Sequence, residues 1–279
     1  INYYKNHMIK QAIIPLAGLG TRLLPLTSVM PKELLPINGK PNLEYIMEEC
    51  LEAGVKEFIF IISKNKSSIK KYFFNDSFYK KIIKKKKDKR IVDEFKKIKK
   101  YKKMIKFVYQ NKPKGTGDAV LKCRKYIKGK FFLMLLPDDL IINKNCSKEM
   151  INLHKRTKGS IIATKRVNKK NVSRWGILSL SKKKKNYFKI KDVIEKPSIK
   201  KAPSNYAIIG RYILTSKIFN EIKNLKPGQG GEIHITDAIK KLIYKGENFF
   251  GSIFIGKYLD CGTIKGYIQS SVEIFKGQK

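Results

Sequence analysis

Three short runs of continuous apolar residues, set among segments of helical periodicity, restrict this chain more than any other feature. Gln11–Ala17, Phe58–Ile62 and Phe131–Leu136 are too short for buried helices and lack polar/apolar alternation, so each predicts a strand buried on both faces. Ile105–Gln110 completes a set of four strands. Between them a helix fits Asn42–Ala53, with Leu43, Ile46, Met47, Cys50 and Leu51 on one face and Gly54 as its stop. Helical propensity also covers Ile69–Lys103 and Thr116–Ile127, and Pro137 ends the last strand. Strands alternating with helices predict an α/β fold whose mixed, mainly parallel sheet carries helices on both faces.

The second half changes texture. Ser160–Val167, Ile177–Leu180, Tyr187–Glu195 and Tyr206–Leu214 read as strands, with helices near Ser216–Asn224, Thr236–Tyr244 and Thr263–Phe275. We expect one domain over residues 8–279, made of halves 8–140 and 141–279, with a Lys-rich helical insert at 64–106. Residues 1–7 read as an extension, because the chain begins at Ile1 and Met8 stands just before the first apolar run. No run approaches the roughly 18–20 apolar residues of a spanning helix, and no signal-peptide core precedes a cleavage site. Cys50, Cys123, Cys146 and Cys261 show neither CxxC nor metal spacing, so reduced thiols and a cytoplasmic location are expected.

The charge demands an explanation. There are 62 Lys+Arg against 22 Asp+Glu, a formal net charge of +40. Lys80–Lys106 alone holds 15 basic residues against Asp88, Asp93 and Glu94. Such a balance suits a nucleic-acid binder. No RRM, KH, helix-turn-helix or zinc-finger pattern accompanies it, however, and the abundance of Ile, Asn, Phe and Tyr beside Lys points to AT-rich coding drift on tolerant surface. Nucleic acid is therefore not an expected partner.

Gly18-Leu19-Gly20-Thr21-Arg22 directly follows the first strand. Glycines let backbone N–H groups approach an anion, and Arg adds a charged fork. The third glycine of GxGxxG is missing and GxxxxGK[ST] does not occur, so the loop belongs to neither dinucleotide fingerprint nor P-loop. Taken alone it is more readily an ordinary strand-to-loop turn. Asp138 and Asp139 end the fourth strand, where they could cap a turn or ligate a cation. Trp175, taken in isolation, reads more readily as a core aromatic.

The loop continues as Leu24-Pro-Leu-Thr-Ser-Val-Met-Pro31-Lys32-Glu33-Leu-Leu-Pro36 and ends in Gly39-Lys40-Pro41. This resembles the sugar-1-phosphate nucleotidyltransferases, whose signature is G-x-G-T-R, a spacer, P-K, then a proline and K-P. The resemblance implies a Rossmann-like sheet and a loop, Ala17 to Thr21, that wraps a nucleoside triphosphate with Glu33 among the substrate contacts. It implies that Arg22 and Lys32 neutralise the leaving pyrophosphate. Asp138 and Asp260, the latter in Tyr258–Thr263 at the start of the last helix, would hold Mg²⁺, with Asp139 orienting its neighbour or the sugar. Gln110 and Gly115, in Pro113–Ala119, would read a pyrimidine. Gly176 would admit the sugar, Glu195 and Lys196 of Glu195-Lys196-Pro197 would take its hydroxyls and phosphate, and Asn205 would line the same pocket.

Within the family, uridylyl enzymes acting on glucose 1-phosphate share A-G-L-G-T-R, P-K-E-x-L-P, a long insert and G-x-x-[DE]-E-x-x-[IL]-T-D-A-I. Ala17–Arg22, Pro31–Pro36, Lys70–Lys103 and Gly228–Ile239 match, with Gly231 standing where an acid is usual. The likeness runs from about Met8 to Lys276 and implies UMP transfer from UTP to glucose 1-phosphate by a homo-oligomer, dimer or tetramer. Thymidylyl transfer is the alternative, though its usual G-G-x-G-T-R start is absent.

Overall fold

The computed structural model describes residues 9–74, 82–83, 85 and 88–277. Its first half runs β1 (Gln11–Pro15), β2 (Pro36–Ile37), β3 (Lys40–Pro41), α1 (Asn42–Glu52), β4 (Glu57–Ile62), α2 (Ser67–Phe74), α3 (Lys89–Lys102), β5 (Ile105–Tyr109), α4 (Thr116–Leu121) and β6 (Phe131–Leu135). The second runs β7 (Asp139–Ile142), α5 (Cys146–Thr157), β8 (Ser160–Arg166), β9 (Gly176–Lys183), β10 (Tyr187–Glu195), β11 (Tyr206–Thr215), α6 (Ile218–Lys223), α7 (Ile235–Tyr244), β12 (Phe249–Ile253), β13 (Lys257–Asp260) and α8 (Ile264–Lys276).

Nine strands form one mixed sheet in the order β5-β4-β1-β6-β11-β8-β12-β10-β9. The first four are parallel, as their continuous apolar runs require, and β8 pairs parallel with β12. β11 and β10 run antiparallel to their neighbours. Alternation within each strand feeds two cores. Ala12, Ile14, Phe58 and Phe60 pack with α1 and α5, whereas Ile13, Ile59 and Ile61 pack with α4, α6 and α7.

From β1 the chain proceeds to β4 and β5 on one side and places β6 on the other, so strand order reverses between β1 and β6. In open α/β sheets the crevice beyond the carboxyl ends at such a point is where ligands bind. A separate ribbon, β7 with β13, closes over this crevice and pairs Asp139 with Asp260.

Two expectations are adjusted, and a third lies partly outside the described residues. The helix predicted to reach Ile127 ends at Leu121, where Cys123 N–H bonds Val120 O and a 3₁₀ turn at Arg124–Tyr126 follows. Asp260 ends β13 and does not begin the last helix, whose N-cap is Thr263, with its hydroxyl accepting from Gly266 N–H at 3.1 Å. Of the Lys-rich insert, α2 and α3 are helical, and 75–81, 84, 86 and 87 lie outside the described residues. Among the described residues no helix is long and apolar enough to cross a membrane.

Candidate active site

The loop after β1 starts buried at Leu16 and Ala17 and then becomes accessible. Gly20 has φ +71°, a left-handed conformation that glycine adopts without strain, and Thr27 Oγ1 donates to its carbonyl at 2.9 Å. A side chain at Gly18 would meet nothing within 4 Å, so the backbone there is open to a ligand.

The loop delivers two cations to one carboxylate. Lys32 Nζ lies 2.8 Å and Arg22 Nη2 3.2 Å from Asp138 Oδ2. Burial acts to raise the Asp138 pKa, but Lys32 and Arg22 outweigh it and hold it below the usual range. Burial alone would lower Lys32, yet the Asp138 and Glu33 charges keep it above the ordinary lysine value. Glu33, expected among the substrate contacts, has no accessible surface, and both its oxygens lie 2.8 Å from Lys66 Nζ. It anchors the loop from beneath, because a buried carboxylate needs a partner that a passing substrate cannot supply.

Asp260 reaches Asp138 from the ribbon. A Cβ built on Gly262 would stand 2.7 Å from Arg22 Nη2, 2.8 Å from Asp138 Oδ2 and 3.1 Å from Asp260 Oδ1, so both carboxylates open on one glycine-lined point. Gly262 N–H fixes Asp260 Oδ1 at 2.9 Å, and Cys261 N–H bonds Asp138 O at 2.8 Å. Among the described residues no group of three or more His, Cys, Asp or Glu could hold a metal. Two carboxylates that face one glycine, with Arg22, Lys32 and Arg174 on them, suit a hard cation that completes its shell with phosphate oxygens and water. Asp139 turns away from this point. It accepts from Tyr258 Oη at 2.6 Å and Gly210 N–H at 3.1 Å, and burial together with the Asp138 charge pushes its pKa up to about 6.

Beyond β5, the Gln110 amide nitrogen donates to Asp118 at 2.7 Å and to Gly115 O at 3.3 Å, which leaves its carbonyl oxygen as an acceptor. Gly115 has φ +96°, and a Cβ there would stand 2.6 Å from Ile233 O. The turn is thus held against the loop before α7.

Most of the residues expected to face the sugar meet at one cavity, with one exception. A cavity of about 190 Å³ is lined by Asp139, Arg174, Trp175, Gly176, Glu195, Lys196 and Thr236 among others. Gly176 pairs with Glu195 across β9 and β10, and a Cβ at Gly176 would stand 3.2 Å from Glu195 Oε2. Thr236 Oγ1 donates to that oxygen at 2.9 Å. Lys196 adopts φ +42°, with its N–H on Trp175 O at 3.0 Å. Asn205 is the exception, since its Nδ2 donates to Val167 O at 3.2 Å and it lies outside the cavity lining. Arg174 was not named from the sequence, whereas Thr236, Tyr258 and Gly210 lie within the Gly228–Ile239, Tyr258–Thr263 and Tyr206–Leu214 segments but were given no role there.

A roomier hollow of about 520 Å³ lies between β3, α1 and α3, but its carboxylates Glu44 and Glu94 are both tied to Lys97.

These features agree with known proteins. Over 268 residues the chain is 37% identical to UTP–glucose-1-phosphate uridylyltransferase 2 of Staphylococcus saprophyticus, covering 95% of this chain and 91% of that one. A crystal structure of UDP-glucose pyrophosphorylase complexed with UDP-glucose superposes with a TM-score of 0.86 at 36% identity, covering 97% of this chain and 100% of that one. The UTP-bound enzyme of Acinetobacter baumannii superposes with a TM-score of 0.87 at 29% identity, covering 96% and 93%. Residues 11–277 match the family described as Nucleotidyl transferase, and the chain, with its glycine loop and paired carboxylates, belongs to that family.

Proposed function

We propose that the protein transfers UMP from UTP to α-D-glucose 1-phosphate, forming UDP-glucose and pyrophosphate. The observation that carries this reading is the meeting of Asp138 and Asp260 at Gly262, with Arg22 and Lys32 alongside and the Glu195 cavity next to them. A phosphate oxygen of the sugar attacks the α-phosphorus, a P–O bond forms, and the bond from that phosphorus to the pyrophosphate oxygen breaks. The sugar phosphate is already an anionic nucleophile, so no general base is required, and the protein contributes position and charge.

The backbone at Ala17–Thr21 receives the triphosphate, while Arg22 and Lys32 offset the charge that gathers on pyrophosphate. Asp138 and Asp260 would hold Mg²⁺, which when bound shields the facing phosphate oxygens. The Gln110 carbonyl accepts from the N3–H of uracil, and Gly115 brings backbone to the ring. Glu195, held by Thr236, takes sugar hydroxyls over Gly176, and Lys196 takes the sugar phosphate. Residues 8–140 serve as the nucleotide half and 141–279 as the sugar half of one domain.

α8 supports self-association. Ile264, Ile268, Val272 and Phe275 fall on one side of it, each about half exposed and free of charge in a chain of +40. Such a stripe suits a second copy that must approach without Lys facing Lys. A cytoplasmic location goes with four unpaired, buried cysteines.

The test offers each NTP with each hexose 1-phosphate and measures pyrophosphate release. UTP with glucose 1-phosphate should dominate, and preference for dTTP would move the assignment to thymidylyl transfer. Light scattering of the native protein, with I268E as control, tests association.

A further inference from the structure

We propose that Arg174 binds the phosphate of the incoming sugar 1-phosphate, leaving Asp260 when a divalent cation takes that carboxylate. The inference rests on the uridylyl-transfer reading above. Arg174 stands where β9 begins, beside Trp175 and Gly176, and it lines the sugar cavity together with Lys196. Its guanidinium crosses the mouth of that cavity to Asp260 Oδ2 at 3.4 Å and lies 4.9 Å from the centre of the Trp175 ring. It therefore joins the sugar side of the site to the metal-facing carboxylate.

The contact with Asp260 is single, long and half exposed, the kind of ion pair that contributes little to stability. Nothing in the fold requires it. A divalent cation bound by Asp138 and Asp260 would repel a guanidinium at the same carboxylate, because like charges at contact distance are unfavourable even where screened. The cavity offers the released side chain an alternative. A sugar phosphate dianion has oxygens for more than the single ammonium of Lys196, and a planar guanidinium can engage two of them at once. The register of Gly176 with Glu195 and the Lys196 N–H bond to Trp175 O hold the two cations on neighbouring strand ends of one cavity. Arg174 would in this way make sugar-phosphate binding depend on occupancy of the carboxylate pair.

Trp175 is the single tryptophan of the chain, so its emission reports the guanidinium beside it without interference. Two measurements test the proposal. In steady-state kinetics, R174Q should raise KM for glucose 1-phosphate by about 10- to 100-fold with KM for UTP unchanged, and R174K should recover part of the loss. In fluorescence, Mg²⁺ added alone should change Trp175 emission in the native protein but not in R174Q or D260N, and the melting temperature of R174Q should equal that of the native protein. An unaltered glucose 1-phosphate KM, equal rises in both KM values, or a full Mg²⁺ response in R174Q would overturn it, as would no response in the native protein. A native protein that makes no UDP-glucose would instead refute the reading of the reaction, while the Mg²⁺ titration would still decide whether Arg174 leaves Asp260.

Discussion

Arg211, buried at the centre of the molecule, grips Glu49 of α1 with Nη2 2.8 Å from Oε2 and donates through Nη1 to Leu136 O at 3.2 Å. Leu136 stands two residues before Asp138, and Ser147 of α5 donates to the same glutamate at 2.6 Å. One ion pair thus ties β11, α1 and α5 to the backbone that presents Asp138. Removing one partner of a buried pair costs about 3–5 kcal/mol because the other charge is stranded. R211M should lose that much in denaturant unfolding and lose activity with it. The E49L/R211M double variant should be more stable than R211M.

Asp138→Asn and Asp260→Asn should each lower kcat by about 100- to 1000-fold, the loss usual for one group that stabilises developing charge. Pyrophosphate release across a Mg²⁺ titration is the measurement. Normal Mg²⁺-dependent turnover in either variant would remove the assignment of that residue.

Gly115→Ala should both strain the backbone, by about 1–2 kcal/mol, and push the turn off Ile233. Misplacement near the base should lower kcat/KM for UTP by about 100-fold. Gly18→Ala meets no neighbour, so its melting temperature should stay at the native value while its KM for UTP rises.

The lysines of α3 are not equivalent. Lys97 bonds Glu44 Oε2 at 2.7 Å and Glu48 Oε1 at 3.0 Å, and Glu44 is almost wholly buried. K97A should destabilise the protein by about 3 kcal/mol in thermal or denaturant unfolding. K99E/K100E should leave both stability and turnover within about twofold of native, since exposed charges contribute little.

The strands of the first half and the loop after β1 were legible in the chain because their signals are local: apolar runs too short for helices, and glycines where the backbone must stay open. α5, β7, β12 and β13 were not. β7 and β13 are four-residue strands that exist only because they pair with each other, and Asp260 consequently read as the start of a helix when it ends a strand. Glu33 and Asn205 show the limit at single residues. Each belongs to a motif near the site, but the motif does not say which side of the backbone each side chain takes: Glu33 is held on both oxygens by Lys66, and Asn205 Nδ2 donates to Val167 O.

The sequence by itself determined the α/β class, the position of the glycine loop after β1 and the presence of more basic residues than any site could use. Only the tertiary structure decided which of those residues act. Arg22, Lys32 and Lys97 look alike in a chain with 62 basic residues, and they part company because Arg22 and Lys32 meet Asp138 whereas Lys97 meets Glu44, each a carboxylate from a distant segment. The value of a charge depends on its burial and its partner, and both are set by contacts more than a hundred residues apart as readily as by neighbours.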